Sequence, residues 1–329
     1  MHTLDNSTLD LEEEDPFWNA FTVIQLIQGI LGIIGNIIII ITFMRVKKIR
    51  TITNIFILNL SITDFVTAVA TIPLPAPNPV PDSLAGDVYC RVIGSNFFAW
   101  MAIKASILTM IAVTVERYSS IVSPLRHRGF SMRRAVVIII FTWVVSIIVN
   151  AFSLTISRNV DGSCQEVWQG ETFKKFMGTI IFLLTYLIPL TVMIIAYVTM
   201  FYVLRKQDRR FRRDGVLGKT NEYSYCRAKR NVAESLFLIV LVFTICWAPD
   251  QISFLAQNLA HFDYVNSVVY PYFILLAFCH PITDPIIYVY KNRQFRNAIS
   301  MAFKRKYKVT VRSDVEQFVP NKNVALHSK

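Results

Sequence analysis

The stretch Ser106-Ile-Leu-Thr-Met-Ile-Ala-Val-Thr-Val-Glu116-Arg117-Tyr118 is an apolar run that ends abruptly in an adjacent acid and base. A charged side chain at the centre of a bilayer costs about 2.5–3.5 kcal/mol even on the most lenient insertion scale, so charges beside a span sit at its end or face protein. Glu116 and Arg117 therefore belong at the aqueous mouth of a helix. There they can bind each other, or Arg117 can turn to another partner, which makes the pair a two-position element.

Working outward, the 329 residues are 53% hydrophobic with a mean hydropathy of +0.44, and the apolar residues come in blocks. That is the composition of a membrane protein. A helix crossing a core of about 30 Å needs roughly 20 mostly apolar residues. Seven blocks qualify, near 18–44, 53–74, 92–122, 134–156, 176–204, 232–259 and 266–290. The expected fold is all-α: a seven-transmembrane helix bundle over 18–290. The segment 1–17 before it is acidic, with Asp5, Asp10 and Glu12 to Asp15, whereas a cleavable signal peptide opens with bases. No signal peptide is expected.

The net charge of +12 could suggest a nucleic-acid partner, but the distribution of the bases excludes that reading. With the amino terminus outside, bases crowd the three inner loops and the tail. The third inner loop alone holds Arg205, Lys206, Arg209, Arg210, Arg212, Arg213, Lys219, Arg227, Lys229 and Arg230. The outer side holds Arg91, Arg158, Lys174 and Lys175. This is the positive-inside pattern, with the carboxyl terminus cytoplasmic. Asn6-Ser7-Thr8 then matches a glycan acceptor on the outer side.

Polar residues inside the blocks need partners. Asn36 in the first span is expected to meet Asp64 in the second, and Lys104 in the third is expected to pair with Asp250 in the sixth, lining an outward cavity. Trp143 reads as a packing residue. Five prolines between Pro73 and Pro81 end the second span, because such a run cannot stay helical. Cys90 and Cys164 both face the oxidising side, so a disulfide between them is expected. Pro249 kinks the sixth span and Pro285 the seventh. After Lys291, Phe295, Ile299 and Phe303 fall at helical spacing among bases, which reads as a short amphipathic helix over 291–305 resting on inner-leaflet lipids. A cytoplasmic tail, 306–329, follows.

Taken together, Gly35-Asn36, Leu60-Ser-Ile-Thr-Asp64, Glu116-Arg117-Tyr118, Trp143, Pro189 with Tyr197, Cys246-Trp247-Ala-Pro249 and Asp284-Pro285-Ile-Ile-Tyr288 resemble the rhodopsin-like (class A) G-protein-coupled receptors over roughly 18–305. The resemblance implies a plasma-membrane receptor, not an enzyme, that passes binding of an extracellular ligand to a heterotrimeric G protein, with arrestin as a further partner. It implies a coupling switch of Glu116, Arg117, Tyr118, Tyr197 and Tyr288, and a transmission switch of Ile107, Pro189, Phe243, Trp247 and Pro249. Ala99, Trp100, Lys104, Asp250, Gln251 and Phe278 are the candidate ligand-pocket residues. No cofactor is implied beyond an allosteric sodium ion at Asp64, Ser106 and Asp284.

Several positions depart from the family pattern. His280 stands where the sodium pocket commonly has Asn, and Asp284 adds a second acid beside Asp64. Lys229 stands where many relatives have an acid, so a salt bridge from Arg117 to that site is unavailable. Cys90 precedes Arg117 by two residues more than is usual, which implies an irregular turn or a shifted register. Phe278 replaces the lysine an opsin needs, and Ala99 the aspartate an amine receptor needs. A peptide, lipid or nucleoside-like ligand remains. The outer acids, among them Glu166, Glu171 and Asp263, favour a basic peptide. The rival reading is a seven-helix transporter with a relay through Asp64, Lys104, Asp250, His280 and Asp284.

Overall fold

The structure, a computed structural model, describes residues 17–124, 129–213, 221–260 and 263–303. Asn6, the acidic segment before Phe17 and the tail beyond Phe303 lie outside the described residues. Among the described residues, seven helices are long and apolar enough to cross a membrane: Ala20–Arg45, Ile52–Ala70, Leu84–Val122, Met132–Ile156, Glu171–Phe211, Lys229–Ala260 and Tyr270–Lys291. They form one bundle around a shared core that includes Ile107, Tyr197, Phe243, Trp247 and Tyr288. An eighth helix, Arg293–Phe303, follows.

Local chemistry fixes several helix ends. The first span opens on a reciprocal cap, in which Thr22 N donates to Asn19 Oδ1 at 3.0 Å and Asn19 N to Thr22 Oγ1 at 3.1 Å. The second span is capped by Thr51 and the fourth by Ser131. The fifth helix runs on to Arg213 and the sixth begins at Asn221, so both extend past the apolar blocks read from sequence.

The first span packs on its neighbours through small residues. A Cβ at Gly32 would stand 3.0 Å from Ala68 Cβ, and one at Gly35 would stand 3.1 Å from Pro285 Cγ. That closeness explains where Asn36 turns. Pro285 has no N–H, so the carbonyl of Pro281, four residues earlier, loses its helical donor. Asn36 Nδ2 supplies one at 2.9 Å and also donates to Gly32 O at 2.9 Å. The expected Asn36–Asp64 contact is therefore corrected: the amide repairs a proline-broken ladder instead. Pro281 has a similar effect on its own helix, which is interrupted between Ala277 and His280.

The third span enters irregularly. A π-type turn covers Cys90–Gly94, Asn96 takes a left-handed φ of 51°, and the α-helix proper starts at Phe97. The irregular turn, rather than a shifted register, takes up the two extra residues. Cys90 is bonded to Cys164, which lies on a feature the all-α expectation lacked. Strands β1 (Ser157–Val160) and β2 (Ser163–Glu166) form an antiparallel hairpin with Asn159 opposite Cys164. Its turn, Asp161-Gly162, has positive φ at both residues, the geometry that favours Asp-Gly in a two-residue hairpin. Gly94 is needed beneath it, since a Cβ there would lie 2.8 Å from Cys164 Sγ.

The eighth helix differs from the expected leaflet-facing stripe. Phe295 is buried with its ring 6.5 Å from that of Tyr288, while Phe303 and Met301 remain exposed. Arg45 Nη1 donates to Ala302 O at 3.0 Å and lies over the Phe303 ring. One side of the helix is thus a buttress for the bundle.

Candidate functional site

Three tiers of polar residues run through the bundle. At the inner rim Arg117 forks onto Glu116, with Nε to Oε2 at 2.6 Å and Nη2 to Oε1 at 2.5 Å. Thr53 of the second span donates to the same Oε2 at 3.1 Å. Glu116 is fully buried and Arg117 nearly so, which makes this a desolvated bidentate pair. Tyr118 is half-buried. Within one helical turn of these charges, Thr114 Oγ1 donates to the buried Tyr197 hydroxyl at 3.4 Å. Tyr288 is buried as well, and its hydroxyl has no hydrogen-bond partner. Lys229 Nζ donates to the Ser120 carbonyl at 2.7 Å, tying the sixth span to the third beside Arg117.

In the middle tier aromatic rings form a column. Trp100 meets Trp247 edge-on at 5.9 Å, Trp247 lies 6.0 Å from Phe243, and Phe243 meets the His280 ring edge-on at 5.1 Å. Ile107 and Pro189 are buried, and Pro249 is half-buried two residues from Trp247. Beneath the column His280 Nδ1 lies 3.9 Å from Asp64 Oδ1, and His280 Nε2 lies 3.5 Å from Asp284 Oδ2. All three side chains are buried, as is Ser106.

The outer tier overturns one expectation. Lys104 Nζ donates to Asn150 Oδ1 at 2.7 Å and sits 5.7 Å from the Trp100 ring centre. Asp250 instead accepts from Gln251 Nε2 at 2.9 Å and from the Tyr264 hydroxyl at 3.1 Å. The Lys104–Asp250 pair is not formed. Lys104 lies on the face of the third span turned toward the fourth and fifth, where it lines a cleft with Leu108, Val149 and Leu184. Each charge is thus met by a nearer polar group. Burial and the Asp250 carboxylate raise the Tyr264 hydroxyl well above the ordinary phenol range, which keeps it a donor. Ala99 is buried, and Phe278 is half-buried at the break in the seventh helix.

Sequence reading missed Asn59, Asn150 and Tyr264. Asn59 accepts from Trp143 Nε1 at 3.0 Å and donates to Thr109 Oγ1 at 2.8 Å, so Trp143 joins three spans rather than only filling space. A polar residue in an apolar block was the available signal for Asn59 and Asn150. Tyr264 offered none, since it stands in a loop.

The order of these marks agrees with a family comparison. The sequence model described as "7 transmembrane receptor (rhodopsin family)" matches residues 35–288. The chain belongs to this family. It is a family of receptors rather than enzymes, and membership makes the chain a multi-pass membrane protein, which leaves the transporter reading without support. Among similar proteins, Neuropeptide FF receptor 1 of Rattus norvegicus is 27% identical over 79% of this chain and 65% of its own length. The QRFP-like peptide receptor of Branchiostoma floridae is 27% identical over 84% and 74%. Histamine H2 receptor of Rattus norvegicus is 26% identical over 79% and 73%. The chain spans just under two thirds of the length of the neuropeptide FF receptor it matches.

Proposed function

We propose that this chain is a plasma-membrane receptor that binds an extracellular peptide and activates a heterotrimeric G protein by outward movement of the sixth span. The observation that carries the reading is the inner rim. A buried fork onto Glu116 restrains Arg117 on the third span, and a Lys229–Ser120 tie holds the third and sixth spans together where a cytoplasmic partner would enter. A ligand that binds better to a form with the sixth span swung away shifts the population toward it, and Arg117 then becomes available. Tyr197 and Tyr288 would swing inward in that form, and Pro249 supplies the bend.

For the ligand, relatives named as peptide receptors favour a peptide, although a histamine receptor stands among them. The third span holds no acid between Asp87 and Glu116, so an amine ligand would find no carboxylate there. Trp100, Asp250 and Gln251 would floor the outer cavity, while Glu166, Glu171 and Asp263 would attract a basic segment. The amino terminus would be extracellular, the carboxyl terminus cytoplasmic and Asn6 glycosylated. Arrestin would compete for the inner face, and the exposed Phe303 and Met301 would touch inner-leaflet lipid.

The test is Arg117→Ala, assayed by nucleotide exchange on reconstituted G proteins and by surface staining of intact cells. Exchange is expected to be abolished and surface expression kept. Full exchange by the variant would refute the role given to Arg117.

A further inference from the structure

Lys104 lies inside the third span, beyond the point where its regular helix begins at Phe97, and its ammonium meets only neutral groups. Nζ donates to Asn150 Oδ1 at 2.7 Å and stands 5.7 Å from the Trp100 ring centre, and no ion pair among the described residues includes it. An ammonium has three donors, so one accepting amide and a ring face leave its charge without a counter-ion. Asn150 and Trp100 also hold it within the bundle, away from water. An ionisable group at membrane depth is by default part of a functional site, with an opposite charge as its natural partner.

The cleft that Lys104 lines, between the third, fourth and fifth spans, encloses about 140 Å³ and is otherwise walled mainly by Leu108, Val145, Val149 and Leu184. Its two hydroxyls are already committed, Ser146 Oγ donating to Thr142 O and Thr185 Oγ1 to Ile181 O. Leu184 is exposed, as are Ile148 and Ile188 on the same two helices, so in a bilayer this side of the bundle faces lipid. We propose that the cleft binds the carboxylate of a long-chain fatty acid drawn from the surrounding membrane, with Lys104 as its counter-ion. Charge decides the head group. One ammonium matches a singly charged carboxylate, whereas a phosphate brings more charge and further oxygens that no second base would meet. Volume decides how much of the molecule enters, since 140 Å³ is well below the roughly 300–1,000 Å³ of a pocket that encloses a whole small ligand. The carboxylate and the first methylenes enter, and the rest of the chain lies along the exposed apolar face of the fourth and fifth spans. Ile107, which belongs to the bundle core, also lines the cleft, so a bound acid would press on that core.

The site is separate from the outer cavity given to the peptide, so its test needs neither peptide nor G protein. The purified full chain in phosphatidylcholine nanodiscs is titrated with radiolabelled oleate, and oleyl alcohol, oleyl phosphate and acetate are added as competitors. Oleate is expected to bind saturably. Oleyl alcohol, which lacks the charge, acetate, which lacks the chain, and oleyl phosphate, which carries a mismatched head, should each bind at least about tenfold more weakly. Lys104→Met should weaken oleate binding by at least about tenfold. Should that variant fold poorly, a photoreactive diazirine fatty acid irradiated with the unmodified chain decides the matter: it should label 145–149 and 184–188, and excess oleate should prevent the labelling. Oleate binding unchanged in Lys104→Met, oleyl alcohol or oleyl phosphate bound as tightly as oleate, or labelling confined to other spans would each overturn the assignment.

Discussion

Two acidic sites in the same bundle are resolved in opposite ways. At the inner rim one carboxylate, Glu116, meets a guanidinium through two hydrogen bonds and a hydroxyl through a third. At mid-membrane two carboxyls, Asp64 and Asp284, meet each other and an imidazole, with no guanidinium or ammonium among the described residues beside them. The first arrangement restrains something already present, so it suits a latch. The second packs two acids and an imidazole against one another with no base to bind them, so it restrains the second and seventh spans less firmly.

The contrast predicts stability changes of opposite sign. Glu116→Gln leaves a guanidinium nearly buried and uncompensated, and breaking a buried pair in this way costs about 3–5 kcal/mol, or a Tm drop on the order of 5–10 °C. Basal nucleotide exchange should rise, since Arg117 loses its restraint. Asp284→Asn replaces one of two facing buried carboxyls with an amide of the same shape that can donate to Asp64, and should raise Tm by a few degrees. If both variants lower Tm alike, the two acidic sites are held with equal firmness and the distinction fails.

The seven spans and the inner-rim fork were legible because their causes are local: apolar length, charge at a helix mouth, bases on one side. Other contacts were not. Asn36 turns to Pro281 rather than Asp64 because a missing N–H on a neighbouring helix leaves a carbonyl open, and no feature of the first span announces it. Lys104 and Asp250 were matched by depth alone, yet depth says nothing about which face of a helix a residue occupies. The hairpin carrying Cys164 had a signal in Asp161-Gly162, although strands of four residues give almost no periodicity to read. Helix rotation and loop structure decide such contacts, and both arise from packing.

A smaller effect is expected where a hydrogen bond, rather than an ion pair, closes the inner rim. Lys229 Nζ reaches the Ser120 carbonyl, and a hydrogen bond with one charged partner contributes about 1.5–3 kcal/mol. Because it joins the third and sixth spans, that contribution belongs to the resting form. Lys229→Met should therefore raise basal exchange by on the order of tenfold, 1.4 kcal/mol being one decade, with little change in ligand-stimulated maximum. Basal exchange equal to that of the unmodified chain would show that Glu116 alone holds the rim closed, concentrating the latch at one pair.

The smallest expected effect separates the two partners once open to Lys104. A double-mutant cycle on thermal stability with Lys104→Met and Asn150→Ala should give a coupling energy of about 1 kcal/mol, as for an ordinary buried hydrogen bond. The matching cycle with Asp250→Asn should give coupling within about 0.5 kcal/mol of zero, the additivity of residues that share no contact. Coupling to Asp250 as large as that to Asn150 would mean that Lys104 turns toward the sixth span in solution. The outer tier would then hold an ion pair comparable to the inner one, and the mid-membrane acids, which face each other and an imidazole, would stand alone as the exception in this bundle.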